Sequence, residues 1–259
     1  MVSRFILKFC NAIINVVLAL VLLVAGCYSA YALWDNNQVL VAAENVRDDL
    51  LRFKPAIPLA QDASVDNTES FATLQELNPD VVGWLSMDNT RIDFPVLQGE
   101  NNLVYVNRDV YGNFSLSGSI FLDTRNNPSF SDPYSLLYGH HMAEGNMFGD
   151  LDLYKEASFF QNNKTGFLIL PERTYKLEVV SCMLVNASDG FIFEPEYAAE
   201  HRQELFDYVE DSSLFFHKDT LQQARENEDL QLLALSTCSS EFTDARTIVI
   251  TIMKDISMD

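Results

Sequence analysis

Two kinds of hydrophobic pattern divide this chain. The first is an unbroken apolar run near the N-terminus, where Arg4 and Lys8 are followed by no charged residue until Asp35. The second begins near Val82 and consists of short apolar runs separated by Gly, Pro, Asn or Asp. A long apolar run is typical of a membrane helix, and short runs between turn residues are typical of β-strands. The pattern therefore predicts an N-terminal helix followed by a mainly β domain.

The N-terminal run, residues 9–34, is long enough to cross a bilayer as a helix, which needs about 20 apolar residues. The positive charges before it predict a cytoplasmic N-terminus, residues 1–8, with the rest of the chain on the extracellular face of the cell membrane. An uncleaved single-pass anchor is favoured because the run is longer than the apolar core of a signal peptide, about 7–15 residues. Two alternatives stay open, cleavage at Ala30-Tyr31-Ala32 and lipid attachment at Cys27 in a lipobox-like Val-Ala-Gly-Cys sequence. In all three cases the domain that follows is exported across the membrane.

Residues 35–80 are predicted to form an N-terminal helical region. Apolar residues recur at helical spacing over residues 36–53, with charges between them, which predicts an amphipathic helix next to the membrane. Residues 58–68 are rich in Ala, Asp, Ser and Asn and predict a linker. A second helix is predicted over residues 71–77, ending at Asn78-Pro79.

Residues 81–259 are predicted to be a β domain, a barrel or a sandwich. Two helical insertions are predicted, over residues 147–154 and 198–209. The eight runs that predict strands are residues 82–87, 92–97, 119–122, 135–138, 166–170, 175–185, 230–236 and 247–253.

Composition narrows the possible functions. The chain has 17 basic and 37 acidic residues and a net charge of −20, which disfavours binding to nucleic acids because their phosphates would be repelled. Two of the four cysteines, Cys10 and Cys27, lie in the apolar run, and only Cys182 and Cys238 remain for the β domain. No disulfide framework is expected from so few.

A thiol, an imidazole and a guanidinium that follow or begin predicted strands could supply chemistry together. Cys238 follows the apolar run 230–235, and Arg246 opens the last run. His140 and His141 follow Tyr138-Gly139, and one of the two could pair with Cys238. A thiol reacts as the thiolate, which a nearby imidazole or guanidinium makes accessible near neutral pH. The eight positions from Cys238 to Arg246 fit a hairpin that brings the two residues side by side. A nucleophile, a base and an oxyanion-stabilising cation are therefore predicted at one edge of the β domain.

Each member of this trio has an ordinary alternative. Cys238 could be an inert cysteine buried in the core, although its Ser and Thr neighbours weaken that interpretation. The histidines could lie in a surface loop, and Arg246 could form a surface ion pair with Asp244. A metal site is disfavoured because ligation needs three or four donors, whereas adjacent residues such as His140 and His141 on an extended segment point in opposite directions.

Taken together, these residues resemble the sortases, the cysteine transpeptidases of Gram-positive cell surfaces, and among them the class B branch. The resemblance covers about residues 70–253 and includes the helical insertion before the Leu-Ser-Thr-Cys strand. The similar segments are Asn78-Pro79-Asp80-Val81-Val82-Gly83-Trp84-Leu85, Ile92-Asp93-Phe94-Pro95-Val96, Gly118-Ser119-Ile120-Phe121-Leu122-Asp123, Tyr138-Gly139-His140-His141-Met142 with Met147-Phe148, and Leu235-Ser236-Thr237-Cys238 with Arg246.

The resemblance implies a closed eight-stranded β-barrel with an N-terminal helical pair and one or two inserted helices. It implies Cys238 as nucleophile, His140 as acid and base, and Arg246 as the group that stabilises the oxyanion. His140 is preferred to His141 because the family's catalytic histidine directly follows the glycine. The resemblance implies no metal and no cofactor, and the residues that it places along the substrate groove are Asn102, Tyr138, Ser236 and Thr237.

The activity implied is cleavage of a C-terminal sorting signal of secreted proteins at a Thr-x bond, through an acyl-thioester on Cys238. The threonine would pass to an amine of a peptidoglycan precursor, which anchors the protein to the cell wall. One alternative is a pilus-assembling sortase with a pilin lysine as acceptor. A second is a membrane-anchored β-barrel that binds a partner without catalysis. Apart from these partners, only the lipid bilayer around the N-terminal helix is expected.

Overall fold

A computed structural model describes residues 2–57, 67–238 and 244–256. The chain divides into two compact units, Met1–Ala42 and Ala43–Asp259. Helix α1, Val2–Leu50, runs without a break through both the predicted anchor and most of the predicted amphipathic segment. No proline occurs before Pro55, so nothing in the sequence forces this helix to end earlier.

The apolar part of α1 has the properties of a membrane span. The helix over Arg4–Phe53 contains a window with a mean hydropathy of 2.5, and it is long enough to cross a bilayer. Its large apolar side chains, such as Leu18 and Leu22, are exposed. A continuous exposed apolar surface of this size is costly in water, so a candidate anchor lies where the sequence predicted one.

The second unit is built on a closed barrel. Eight strands follow one another in the order β5, β1, β2, β3, β4, β8, β9 and β6, and the pairing of β6 with β5 closes the ring. The short β7 pairs with β6 outside the ring. Their bounds are β1 Val81–Met87, β2 Asp93–Leu97, β3 Ile120–Leu122, β4 Tyr134–Tyr138, β5 Thr165–Ile169, β6 Thr174–Asn186, β7 Ser213–Phe216, β8 Gln231–Cys238 and β9 Ala245–Asp255. The predicted eight-stranded barrel is confirmed.

Both faces of the central strand β8 are covered, which explains its continuous apolar sequence. Leu233 and Leu235 pack inside the barrel, whereas Leu232 and Ala234 pack outside against the inserted helices. A strand buried on both faces has no reason to alternate apolar and polar residues. The strand becomes polar only near its end, at Ser236 and Thr237.

The N-terminal helical pair packs on the outside of the barrel. Leu50 near the end of α1 and Phe71 and Leu74 of α2, Thr68–Leu77, share a buried cluster with Trp84 of β1. Asp93 joins the two layers, because it accepts hydrogen bonds from Trp84 Nε1 at 2.7 Å and from Lys54 Nζ at 2.8 Å. Most of the predicted linker, residues 58–66, lies outside the described residues.

Two insertions between barrel strands contain more helices than were predicted from the sequence. The segment predicted as helix 147–154 forms a 3-10 helix, Gly149–Lys155, before α3, Ala157–Asn162. The single helix predicted over residues 198–209 is divided by His201, which lies between the two helices. The helices of this second insertion are α4 Gly190–Phe193, α5 Pro195–Glu200, α6 Arg202–Ser212 and α7 Lys218–Glu226.

Local capping explains the helices that the pattern missed. Asp189 accepts hydrogen bonds from the N–H groups of Phe191 and Ile192 and so begins α4. Pro195 begins α5 at a position where its missing N–H has no cost. Helix α7 buries only Leu221 and Ala224, and its other residues are polar.

His217 makes the stability of this insertion depend on pH. Its imidazole is 9% exposed and stacks on Phe160 with ring centroids 4.3 Å apart. Burial, and then the positive charge of Lys164, lower its pKa below the usual value of 6.5. The unfolded chain therefore binds a proton more readily than the folded chain once the pH falls below about 6.5.

We expect the free energy of unfolding of the full-length chain in detergent to decrease as the pH falls through 6.5 towards the lowered pKa of His217. His217→Gln should remove this part of the pH dependence, which denaturant titrations at a series of pH values would measure. An equal slope in the two proteins over that range would contradict the assignment.

Candidate active site

The predicted site residues lie at one rim of the barrel because of how three strands are arranged. β4 and β8 are parallel neighbours with Tyr138 beside Ser236, so their C-terminal ends meet at the same edge. The N–H of Gly139 continues this pairing by donating to Ser236 O at 3.1 Å. His140 therefore leaves β4 next to the point where β8 reaches Thr237 and Cys238.

Arg246 comes to the same rim from the antiparallel neighbour β9. Cys238 and Arg246 are directly paired across the β8–β9 ladder, as the hairpin prediction required. The backbone of Cys238 is described, whereas its side chain and residues 239–243, including Glu241, lie outside the description. No ion pair joins Arg246 to Asp244, although both belong to the described part of the chain. The Nη1 of Arg246 instead donates to Ala245 O at 2.9 Å.

A cavity of about 340 Å³ opens at this rim. It contains six of the seven predicted site residues in its lining, two of them catalytic candidates and four of them predicted substrate contacts. Its described lining residues are Asn102, Val106, Phe121, Tyr138, Gly139, His140, Ala187, Phe193, Ser236, Thr237 and Arg246.

A backbone carbonyl orients the imidazole of His140. Nε2 lies 2.7 Å from Val106 O, in the long connection between β2 and β3. A carbonyl oxygen only accepts hydrogen bonds, so this contact assigns the ring proton to Nε2 in the neutral imidazole. Nδ1 is then the nitrogen that can take up a proton.

The neighbouring His141 is directed elsewhere. Its Nε2 lies 3.0 Å from Asp152 Oδ2, and the same carboxylate accepts from Thr247 Oγ1 at 2.9 Å. His141 is not among the described residues that line the cavity. The two adjacent histidines thus face different partners, as expected for an extended segment.

Gly139 has a packing role at the end of β4. A Cβ at this position would lie 2.5 Å from Ile120 Cδ1 and 2.7 Å from Phe148 Cδ2. The absence of a side chain therefore lets the end of β4 pass close to both residues. This close approach fixes the backbone from which His140 projects.

The polar side chains of the lining differ in whether they already have hydrogen-bond partners. Ser236 and Thr237 are each 2% exposed, and Thr237 Oγ1 has no hydrogen-bond partner among the described residues. The Asn102 amide is already engaged, since Oδ1 accepts from Thr124 N at 2.8 Å and Nδ2 donates to Asp123 Oδ2 at 3.0 Å. Asn102 therefore shapes the wall with its side chain held in place.

Aromatic rings form the apolar part of the lining. Tyr138 contacts Phe121, with ring centroids 5.3 Å apart, and stacks on Phe193 at 6.4 Å with an interplanar angle of 10°. Behind the rings, Tyr138 donates its hydroxyl to Asp123 Oδ2 at 3.0 Å. Neither Phe121 nor Phe193 was predicted as a site residue from the sequence. Phe121 stands in a segment quoted for the family resemblance, whereas no pattern singled out Phe193.

Asp123 is a buried anion beside the cavity, with an exposed fraction of zero. Burial alone would raise the pKa of its carboxyl, but hydrogen bonds from the Arg125 side chain and backbone and from Tyr138 outweigh that effect and hold the pKa below its usual value. The carboxylate is therefore ionised near neutral pH and serves as a fixed acceptor. Among the described residues, no three His, Cys, Asp or Glu side chains are grouped so as to hold a metal ion.

Comparison with known proteins gives the family. No family model matches the chain. Sortase B of Staphylococcus aureus is 28% identical over 188 residues, which are 73% of this chain and 75% of that protein. A Streptococcus pyogenes class B sortase involved in pilus biogenesis is 36% identical, with a TM-score of 0.65 over 71% of this chain and 97% of the solved one. A Staphylococcus aureus sortase B–substrate complex is 28% identical, with a TM-score of 0.63 over 72% and 85% of the two chains.

A closed barrel of this topology, with a cysteine-ended strand at the rim, is that of a cysteine transpeptidase of the sortase type. The chain belongs to the class B sortases. It is an enzyme, so the alternative of a non-catalytic binding module is wrong.

Proposed function

We propose that this sortase cleaves the C-terminal sorting signal of secreted proteins at a Thr-x bond and transfers the threonine to an amine of a peptidoglycan precursor. The observation that carries the proposal is the shared cavity. His140 and Arg246 both line it, and Arg246 is paired across the ladder with Cys238. A nucleophile, a proton-transfer group and a cation thus come from the ends of three neighbouring strands.

In the first half of the reaction, the Cys238 thiolate attacks the carbonyl carbon of the threonine and forms a C–S bond. The negative charge that develops on the carbonyl oxygen is stabilised by the Arg246 guanidinium. Hydrogen bonding to Ala245 O fixes the Nη1 side of that group, and no other described residue takes a hydrogen bond from it. The C–N bond then breaks, and protonated His140 gives a proton to the leaving amine.

In the second half, the acceptor amine attacks the thioester and transfers its proton to His140. The new amide bond forms, the C–S bond breaks and the thiolate of Cys238 is restored. His140 can alternate between these roles because Val106 O holds Nε2 and leaves Nδ1 to exchange the proton. Proton and thiolate are thereby returned to their starting groups after each turnover.

The peptide would lie along the cavity, whose lining includes Ser236, Thr237, Tyr138 and Asn102. The two hydroxyl residues are nearly buried, so a peptide group bonded to them would be shielded from water. The sortase B–substrate complex of Staphylococcus aureus, which shares this fold, supports substrate binding by such a barrel.

The apolar part of α1 would anchor the enzyme in the cell membrane, with residues 1–8 in the cytoplasm. Arg4 and Lys8 before the span support this single-pass orientation. The barrel would then meet secreted substrates on the extracellular face.

A second acceptor is supported by the pilus sortases among the similar structures. The Streptococcus pyogenes enzyme with 36% identity is described as involved in pilus biogenesis. If this chain acts in the same way, the amine is the side chain of a pilin lysine rather than a group of the peptidoglycan precursor. The chemistry at Cys238, His140 and Arg246 is the same for both acceptors.

Mass spectrometry of the full-length chain in detergent would test the function. We expect incubation with a library of sorting-signal peptides to yield a threonyl thioester, and added amine to release a transpeptidation product. A peptidoglycan-type α-amine and a lysine side-chain amine offered in competition would identify the acceptor. Absence of both adduct and product with every Leu-Pro-x-Thr-Gly-like and Asn-Pro-x-Thr-x-like peptide would contradict the proposal.

A further inference from the structure

Asp123 and Arg125 form a charged bridge behind the cavity that the catalytic roles do not use. The buried Asp123 carboxylate accepts from Arg125 Nε at 2.9 Å and Arg125 Nη2 at 2.8 Å, a two-pronged contact. The same carboxylate accepts from Tyr138 and Asn102, both of which line the cavity. One anion thus fixes two side chains of the wall.

Arg125 also reaches across to the second insertion. Its Nη2 donates to Phe193 O at 2.7 Å, and its Nη1 pairs with Glu194 at 2.5 Å. These residues are the end of α4 and the junction with α5. Arg125 itself is not among the described lining residues, so it acts on the cavity only through the groups that it holds.

The segment that Arg125 holds carries an aromatic wall residue. Phe193 stacks on Tyr138, and Tyr138 is bonded to the same Asp123. Helix α4 is only four residues long, so its position depends on its anchors rather than on its own hydrogen bonds. Besides Arg125, Tyr134 contributes an anchor, since its hydroxyl donates to Ile192 O at 2.9 Å.

We propose that Arg125 is a positioning residue for substrate recognition, which joins Asp123 of the barrel to Phe193 of the insertion and so sets the width of the aromatic side of the cavity. The inference rests on the proposed function, because its readout is recognition of the sorting peptide. Weakening the bridge lets Phe193 move away from Tyr138, which lowers peptide affinity without changing the thiol chemistry.

The contact to Glu194 is the least important part of this bridge. Glu194 is 60% exposed, and ion pairs at such positions contribute little. The contacts to the fully buried Asp123 and to Phe193 O are the ones that link barrel and insertion. The expected effects therefore come from the geometry of the guanidinium, which a lysine ammonium cannot reproduce.

Arg125→Lys tests the bridge while it keeps a positive charge near Asp123, so that the fold is retained. We expect the KM for the sorting peptide to rise about tenfold, with kcat and the alkylation rate of Cys238 changed less than about twofold. Phe193→Ala should raise KM similarly, and the Arg125→Lys/Phe193→Ala double variant should be no worse than Phe193→Ala alone.

Arg225→Lys is the matched control. Arg225 pairs with Asp207 and Glu210, which belong to α6 and lie outside the cavity lining. This variant should leave KM at the wild-type value. The inference would be overturned by an unchanged KM in Arg125→Lys or by an equal rise of KM in Arg225→Lys. Fully additive effects of Arg125→Lys and Phe193→Ala on KM would also overturn it.

Hydrogen exchange separates this inference from the proposed function, because it needs no peptide. In the full-length chain in detergent, the amides of residues 190–194 should exchange about tenfold faster in Arg125→Lys than in the wild type or Arg225→Lys. If no peptide reacts, the proposed function fails and the exchange comparison still decides whether Arg125 holds the segment. Equal exchange in all three proteins would overturn the positioning role.

Discussion

Cys238→Ala is expected to abolish thioester formation with a sorting peptide, with a loss on the order of 10⁴-fold or more in kcat/KM. The reason is that the variant lacks the thiol whose sulfur forms the thioester. Peptide turnover, followed by product chromatography, would measure the effect. The fold should survive, because the change occurs at the last residue of β8, beyond the buried residues 232–237.

The other cysteines provide the control for this experiment. Cys10 and Cys27 are exposed on α1, so the Cys10→Ala/Cys27→Ala variant removes two thiols without touching the barrel. It should keep the wild-type rate. Cys182 is fully buried in β6, and its alkylation should require unfolding. Peptide turnover by Cys238→Ala at more than a trace of the wild-type rate would exclude Cys238 as the nucleophile.

The second large effect is expected at His140. His140→Ala should lower kcat/KM by about 10²–10⁴-fold, since it removes the group that exchanges protons with both amines. His141→Ala, one residue further on, should lower it by less than about threefold, because its imidazole contacts Asp152 and does not line the cavity. Single-turnover measurements of thioester formation would compare the two variants.

This pair of variants also tests the orientation of the imidazole. If His140 is the acid and base, the dependence of kcat/KM on pH should change in His140→Ala and remain in His141→Ala. Equal losses in both variants, or a larger loss in His141→Ala, would contradict the assignment. The bond from His140 to Val106 O would then have only a structural role.

The sequence predicted local features of this fold well. Each of the eight runs of apolar residues forms a strand of the barrel, and the short spacing from Cys238 to Arg246 predicted their pairing across a hairpin. Both kinds of feature depend on residues that are close along the chain. The apolar run of residues 9–34 was recognisable for the same reason, because length and composition alone define it.

Features that depend on long-range packing were not predictable from the pattern. The parallel pairing of β4 with β8, which brings His140 to Cys238, joins segments about a hundred residues apart. From the sequence, only their positions at the ends of predicted strands and the family resemblance indicated that these residues meet. Likewise, Phe193 lines the cavity because α4 is capped by Asp189 and held by Arg125. Neither contact can be recognised from the spacing of apolar residues in the sequence.

The second insertion illustrates the same limit. A single helical pattern over residues 198–209 predicted one helix, whereas the segment forms α5 and α6 with His201 between them. Pro195 fixes the start of the first helix, and packing of Leu205, Phe206 and Val209 against the barrel stabilises the second. Tertiary packing therefore set helix boundaries that periodicity left undefined.

We propose Cys238 as the nucleophile that acts beside the cavity lined by His140 and Arg246. The most direct measurement is tandem mass spectrometry of the full-length chain after a brief incubation with a reactive sorting peptide. We expect a threonyl adduct on Cys238 alone, which is lost on addition of amine and is formed in lower yield by His140→Ala and Arg246→Ala. An adduct on another residue, or peptide cleavage without any covalent intermediate, would contradict it.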